Sequence, residues 1–179
     1  RIIHEFEPQD YGAHWEERTI GYSYTKVPYI RSEGYPDGVS RVGPLSRFNV
    51  MDHLPWPAAR EYLHAYDKLF GRPCDDASAY NLARVIELVA ATEECVGYLS
   101  DDRIVSTETR VPVKMGEGEG VGIVEAPRGL LLHSYSISEE GLIENVNIIA
   151  PTTFNSPCIE RSLRVWAEAH VDDLVDEEK

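Results

Sequence analysis

The stretch Gly116–Asn155 constrains this chain more than any other part of it. It reads GEGEGVGIVEAPRGLLLHSYSISEEGLIENVNIIAPTTFN. Glycines at 116, 118, 120 and 122 permit backbone conformations and close approaches that a side chain forbids. Glu125-Ala126-Pro127-Arg128-Gly129 then sets a carboxylate, a rigid proline and a guanidinium in one short corner. The run Leu130–Ile137 is apolar at first and alternates later, the pattern of a strand passing from core to surface. Gly141 supplies a turn, and Leu142-Ile143 with Val146–Ala150 supply a returning strand, so a β-hairpin is expected. The return closes on Pro151-Thr152-Thr153-Phe154-Asn155, where two hydroxyls and an amide gather without a charge.

Polar corners at the ends of paired apolar strands can hold a buried ligand. Arg128 offers a planar fork of donors to an anionic or strongly dipolar group, and Thr152 or Thr153 offers another. A plainer reading stands beside it. Arginine after proline is commonly a surface or ion-paired residue, and paired threonines ahead of a helix commonly cap it. Spacing alone leaves both open.

The remainder of the chain reads as support. At 179 residues it can bury a real core as one domain's worth of chain, and 42% hydrophobic with 27% charged residues is an ordinary globular balance. A net charge of −14 argues against nucleic acid or an anionic membrane surface as partner. No apolar run has the length of a membrane span, and no signal peptide is visible. Cys74, Cys95 and Cys158 have no partner two residues away and suit a reducing, cytoplasmic setting.

Residues 1–54 read as a turn-rich lead-in, punctuated by Gly34, Pro36, Gly38, Gly43 and Pro44, with short strands expected and no helix. His4, His14 and His53 sit at no ligand spacing. Residues 55–100 read as a helical pair. The first helix spans Pro55–Phe70; the second runs from about Asp76, capped by Asp75 or Asp76, to Leu99, with Leu82, Val85, Ile86, Val89, Ala90 and Val96 as its apolar stripe. Residues 103–155 read as β-rich, with alternation through Ile104, Val105, Val111 and Val113 suggesting a strand ahead of the glycines. Ser156-Pro157 is expected to start a last helix over 156–179, with Ile159, Leu163, Trp166, Ala167 and Val171 on its apolar face and a charged end from Asp172. Cys158, near that start, is either a thiol activated by the helix N-terminus or an inert buried one. The fold class is α+β, helices packed with a small antiparallel sheet or hairpin.

The string GEGVG..EAPRGLL.H.Y....G.I..VNII.PTT.N resembles the late segment of NiFe-hydrogenase large subunits, in the branch with F420-reducing, non-F420-reducing and NAD-linked cytoplasmic enzymes. Tyr22-Ser23-Tyr24-Thr25-Lys26-Val27-Pro28-Tyr29, Arg41-Val42-Gly43-Pro44-Leu45-Ser46-Arg47-Phe48-Asn49 and Ala83-Arg84-Val85-Ile86-Glu87-Leu88 resemble the same family, so the likeness spans nearly the whole chain. It implies part of the hydrogenase large-subunit fold and an oxidoreductase acting on H2 around a nickel–iron centre carrying cyanide and carbonyl. Its partners would be a small iron–sulfur hydrogenase subunit, together with an electron-acceptor subunit.

By that resemblance, Arg128 lies over the metal pair and donates toward a cyanide, with Pro127 as the canopy wall. Pro151 and Thr152 serve the other cyanide through the Thr152 hydroxyl and backbone N–H. Ile148 lends a backbone carbonyl to a structural divalent ion such as Mg, and Glu125 and His133 are candidates for hydrogen bonding around the centre or for moving protons. The family's two CxxC pairs are missing, so the resemblance implies an internal segment or truncated relative, a pocket wall without thiolate ligands and inactive by itself. Two other readings compete: a metal-free relative akin to the quinone-site subunit of respiratory complex I, and a standalone binding or assembly module. Arg41 and Arg47 flank a family motif, and bracing the fold through carboxylates is as good an account of them as function.

Overall fold

The computed structural model describes residues 5–176, with side chains to 171. His4 and the last three residues of the charged end lie outside the described residues. The architecture is α+β. Its elements are α1 (Tyr11–His14), β1 (Trp15–Arg18), β2 (Val27–Ile30), α2 (Pro44–Val50), α3 (Pro57–Phe70), α4 (Ala79–Leu99), β3 (Gly118–Ala126), β4 (Gly129–Ile137), β5 (Ile143–Ile149) and α5 (Pro151–Asp176). Strands β1 and β2 form an antiparallel ribbon with Trp15 opposite Ile30 and Arg18 opposite Val27. The other three form one sheet in the order β3-β4-β5. The chain divides into two compact units: Gly43–Gly118 with Ile137–Leu142, and Phe6–Val42 with Glu119–Ser136 and the chain from Ile143 on.

The first unit is helical. Gly43 takes φ 118°, a conformation that favours glycine, and Pro44 follows as the first helical residue of α2. The same Gly-Pro pair that reads as a turn in the sequence thus starts a helix, and α1 and α2 correct the expectation of no helix before residue 54. Phe48 and Tyr66 meet edge to face at 5.5 Å, and with Leu45, Leu63, Ala79, Tyr80, Ala83, Ile86 and Ala90 they form a buried core. Burial pushes the Tyr66 phenol well above its usual range.

The buried side of α4 is Ala79, Tyr80, Ala83, Ile86 and Ala90, whereas Leu82, Val85 and Val96 are exposed. The buried face is therefore rotated from the expected stripe. Apolar residues run almost all round this helix, and close approach to α2 and α3 selects the alanine-rich side because small side chains let helix axes draw together. The expected cap also changes role. Asp76 Oδ1 accepts from the Ser78 N–H at 2.8 Å, which tightens the turn before α4, and Ser78 stands at the cap position.

Polar side chains close this unit. Arg47 grips Glu87 through two parallel bonds, Nε to Oε1 at 2.6 Å and Nη2 to Oε2 at 2.7 Å, so bracing is the role the structure gives Arg47. Arg72 donates to the carbonyls of Phe48 at 3.0 Å and Met51 at 2.7 Å, at the end of α2. Glu93 of α4 accepts from the backbone N–H groups of Ala58 at 3.2 Å and Ala59 at 2.9 Å. Its carboxylate thus caps α3 from another helix, where Trp56 supplies no side-chain cap. Glu93→Ala is expected to cost about 1 kcal/mol, measured by chemical denaturation.

Residues 106–117 are not a strand. A 3-10 turn at Asp102–Val105 leads into irregular chain, and Val111 and Val113 are exposed. Alternation makes a strand only where a neighbour offers a ladder for its backbone groups. Gly116, Gly118, Gly120 and Gly122 likewise need no special conformation: a Cβ at any of them would meet nothing within 4 Å. Positive φ falls instead on Gly129 at 131° and Gly141 at 77°, where the two turns of the sheet require it.

Candidate functional site

Strand β3 ends at Ala126, Pro127 and Arg128 form the turn, and β4 begins at Gly129. Proline fixes φ at the first turn position and the buried glycine takes up the reversal. The Glu-Ala-Pro-Arg-Gly corner is thus the tip of a tight hairpin, with Pro127 and Arg128 exposed at it. The second corner is the first turn of a helix. Helix α5 starts at Pro151, not at Pro157, which lies inside it; both prolines carry the same start signal, and the chain uses the earlier one.

A small core sets the two corners in place. Leu132 of β4, Ile149 of β5 and Phe154 of α5 are fully buried together, with Trp15, Val42, Val121, Ile123 and Leu130 packed around them. The Trp15 ring meets Phe154 edge to face at 5.0 Å. Asn155, the next residue, joins the corners directly. Its Nδ2 donates to the Arg128 carbonyl at 3.0 Å, and its Oδ1 accepts from the Val42 N–H at 2.9 Å. The hairpin tip, the start of α5 and Val42 of the lead-in therefore converge on one amide.

The hydroxyls divide their work. Thr153 Oγ1 donates to the Ala150 carbonyl at 2.7 Å, a local bond across the helix start. Thr152 is exposed on the same turn, where the first backbone N–H groups of a helix lack partners within it and favour negative charge. Arg128 and Thr152 can thus present donors from adjoining elements. Glu125 stands on β3 two residues before Pro127 and is exposed. Ile148 is the penultimate residue of β5, its side chain exposed beside buried Ile149. His133 Nδ1 lies 2.9 Å from the Tyr135 hydroxyl on the same face of β4, so its hydrogen bond runs along the strand rather than to either corner.

Cys158 stands two turns into α5 rather than at its start. Burial pushes its thiol above the usual range, against the pull of Arg41 and Arg161, the direction opposite to activation by a helix N-terminus. Cys74 is buried in the helical unit and Cys95 is exposed on α4. Among the described residues no group of three or more His, Cys, Asp or Glu side chains can hold a metal ion. A cavity of about 310 Å³ is lined by Tyr35, Asp37, Pro157, Arg161 and Arg164; it holds none of the motif residues. Glu160, also in its lining, accepts from the Tyr22 hydroxyl at 2.7 Å and from Arg164 at 3.1 Å.

Exposed apolar side chains line the outer side of α5. Ile159, Leu163, Trp166 and Val171 are all about half exposed or more, so the face expected to be buried is open beyond Cys158. No described helix is long and apolar enough to cross a membrane.

The residue missed in the sequence is Asn155. Its signal was present: asparagine is a poor helix former, and one placed just inside a helix usually has a side-chain task.

Residues 4–166 match the nickel-dependent hydrogenase family. Over 169 residues the chain is 41% identical to the matching polypeptide of the F420-non-reducing hydrogenase vhu of Methanococcus voltae, covering 94% of this chain and 40% of that protein. It is 41% identical over 178 residues to the NAD-reducing hydrogenase HoxS subunit beta of Cupriavidus necator, covering 95% of this chain and 36% of that one. Among solved structures it superposes on the NAD+-reducing NiFe hydrogenase in its H2-reduced state with a TM-score of 0.77 at 33% identity, over 86% of this chain and 34% of that one. The chain spans about 40% of the length of the curated relatives it matches.

Proposed function

Because the chain belongs to the nickel-dependent hydrogenase family, we propose that it forms the wall of the nickel–iron site in a large subunit that oxidises H2 reversibly. The observation that carries this reading is the Asn155 junction, which sets Arg128 and Thr152 on adjoining elements of one small core. The donor set fits the surroundings of such a centre and not its ligand set. Guanidinium, hydroxyl and helix-start N–H groups all donate, which suits cyanides bound to iron, while the three cysteines lie on separate elements. The thiolates then belong to other parts of a longer polypeptide.

When bound, such a centre supplies the Lewis acidity that polarises H2. The residues of this chain hold its surroundings. Arg128 donates a forked pair of hydrogen bonds toward one cyanide, and Pro127 closes the wall beside it without adding a competing N–H. Pro151 starts α5, and the Thr152 N–H and hydroxyl would serve the second cyanide. The Ile148 carbonyl serves a structural divalent cation such as Mg, and Glu125 and His133 with Tyr135 accept or pass protons at the margin. Electrons leave to a small iron–sulfur subunit, then to an acceptor subunit; the designations of the M. voltae and C. necator relatives as subunits support such a setting. Free thiols at all three cysteines support a cytoplasmic one.

The test is the intact mass of the native polypeptide from its source, with its nickel content. A nickel-bearing chain two to three times this length is expected, from the share of the relatives that it spans. A nickel-free chain of 20.2 kDa would overturn the reading.

A further inference from the structure

We infer that Asn155 is a positioning residue, whose amide sets the distance between the hairpin tip carrying Arg128 and the helix start carrying Thr152. The inference rests on the proposed role of those two residues and adds the device that aligns them. Phe154, fully buried and packed on Trp15, fixes the register of the first turn of α5, so the neighbouring side chain emerges at one defined place. From there the amide makes two bonds of opposite sense, accepting from Val42 N–H and donating to Arg128 C=O. Only one orientation of the amide satisfies both, because an N–H requires the oxygen and a carbonyl requires the NH2. The donated bond ends on the main chain of Arg128 itself. A two-residue turn is thereby pinned at its second residue. No other natural side chain of this length offers both a donor and an acceptor, so the requirement is for asparagine and not for polarity in general.

Aspartate makes the discriminating substitution. Asn155→Asp keeps the acceptor for Val42 and turns a carboxylate oxygen against the Arg128 carbonyl, which pushes the tip away while leaving Arg128 and Thr152 chemically unchanged. In the full-length, nickel-loaded enzyme kcat is expected to fall on the order of tenfold to a hundredfold, the cost typical of a displacement near 1 Å in a preorganised site. The KM for H2 should stay within about twofold, because no group that meets H2 has changed. The infrared stretching bands of the cyanides should shift. Combined with Arg128→Lys, Asn155→Asp should add little further loss, because both act on one contact.

Asn155→Ala, which removes both bonds without adding charge, is run beside it. In the full-length protein without metal, amide exchange at Gly129 and Leu130 should speed up in both variants. Wild-type turnover and infrared bands in Asn155→Asp, or unchanged exchange in both variants, would overturn the inference. If Arg128→Lys alone leaves activity and bands unchanged, it is the wall assignment that fails; if Arg128→Lys is impaired and Asn155→Asp is not, only the positioning role fails.

Discussion

Arg128→Lys in the full-length enzyme should lower kcat for H2 oxidation by about a hundredfold while leaving the melting temperature within a degree or two. Lysine keeps the positive charge and loses the forked, planar donor pair, which is the feature the hairpin tip presents. Removing one preorganised donor from a water-poor site typically costs a factor of about 10² to 10³. Stability is spared because the tip is held through the Arg128 carbonyl, which the substitution does not touch. The check is steady-state H2 oxidation at saturating acceptor, with thermal unfolding of the same preparations. Wild-type turnover in this variant would remove Arg128 from the site.

The second large effect is on folding. Phe154→Ala should destabilise its unit by about 3–5 kcal/mol, the range for deleting a fully buried aromatic side chain. Phe154 is 1% exposed, and it is the member of the small core contributed by α5, where Leu132 and Ile149 come from the sheet. Alanine leaves a cavity that the sheet cannot close, because its two other members are pinned by strand pairing. It also frees Trp15 from its edge-to-face contact, worth about 1 kcal/mol more. Urea denaturation followed by tryptophan fluorescence measures this, since Trp15 reports on the site of the change. Leu163→Ala, at a position 63% exposed on the same helix, should stay within about 0.5 kcal/mol. Equal effects at the two positions would mean that the outer half of α5 is not open as described.

The two corners show how much of the site was legible. Glu125-Ala126-Pro127-Arg128-Gly129 and Pro151-Thr152-Thr153-Phe154-Asn155 stand out in the sequence because the first gathers a carboxylate, a proline, a guanidinium and a glycine, and the second a proline with uncharged polar residues, between apolar runs. The hairpin from Leu130 to Ala150 follows from alternation and from Gly141. What the residues alone did not show is that the first corner is a hairpin tip paired back onto Gly118–Ala126, or that the second is already helix. Pro151 and Pro157 carry the same local signal, and only the position of Phe154 in the core decides between them. The role of Asn155 was hidden for the same reason: its two partners are 27 and 113 residues away along the chain.

Local chemistry fixed the element types over most of the chain. Helical period marked α3 and α4, and proline and glycine marked the turns. Tertiary structure alone decided which side of each helix is buried. On α4 apolar residues occupy nearly every direction, so periodicity has no unique answer, and the alanines won because α2 and α3 approach closely there. The Ile104–Val113 alternation found no neighbouring strand, and it became a 3-10 turn to Val105 with irregular chain beyond, since a backbone ladder needs a second strand that no sequence pattern supplies.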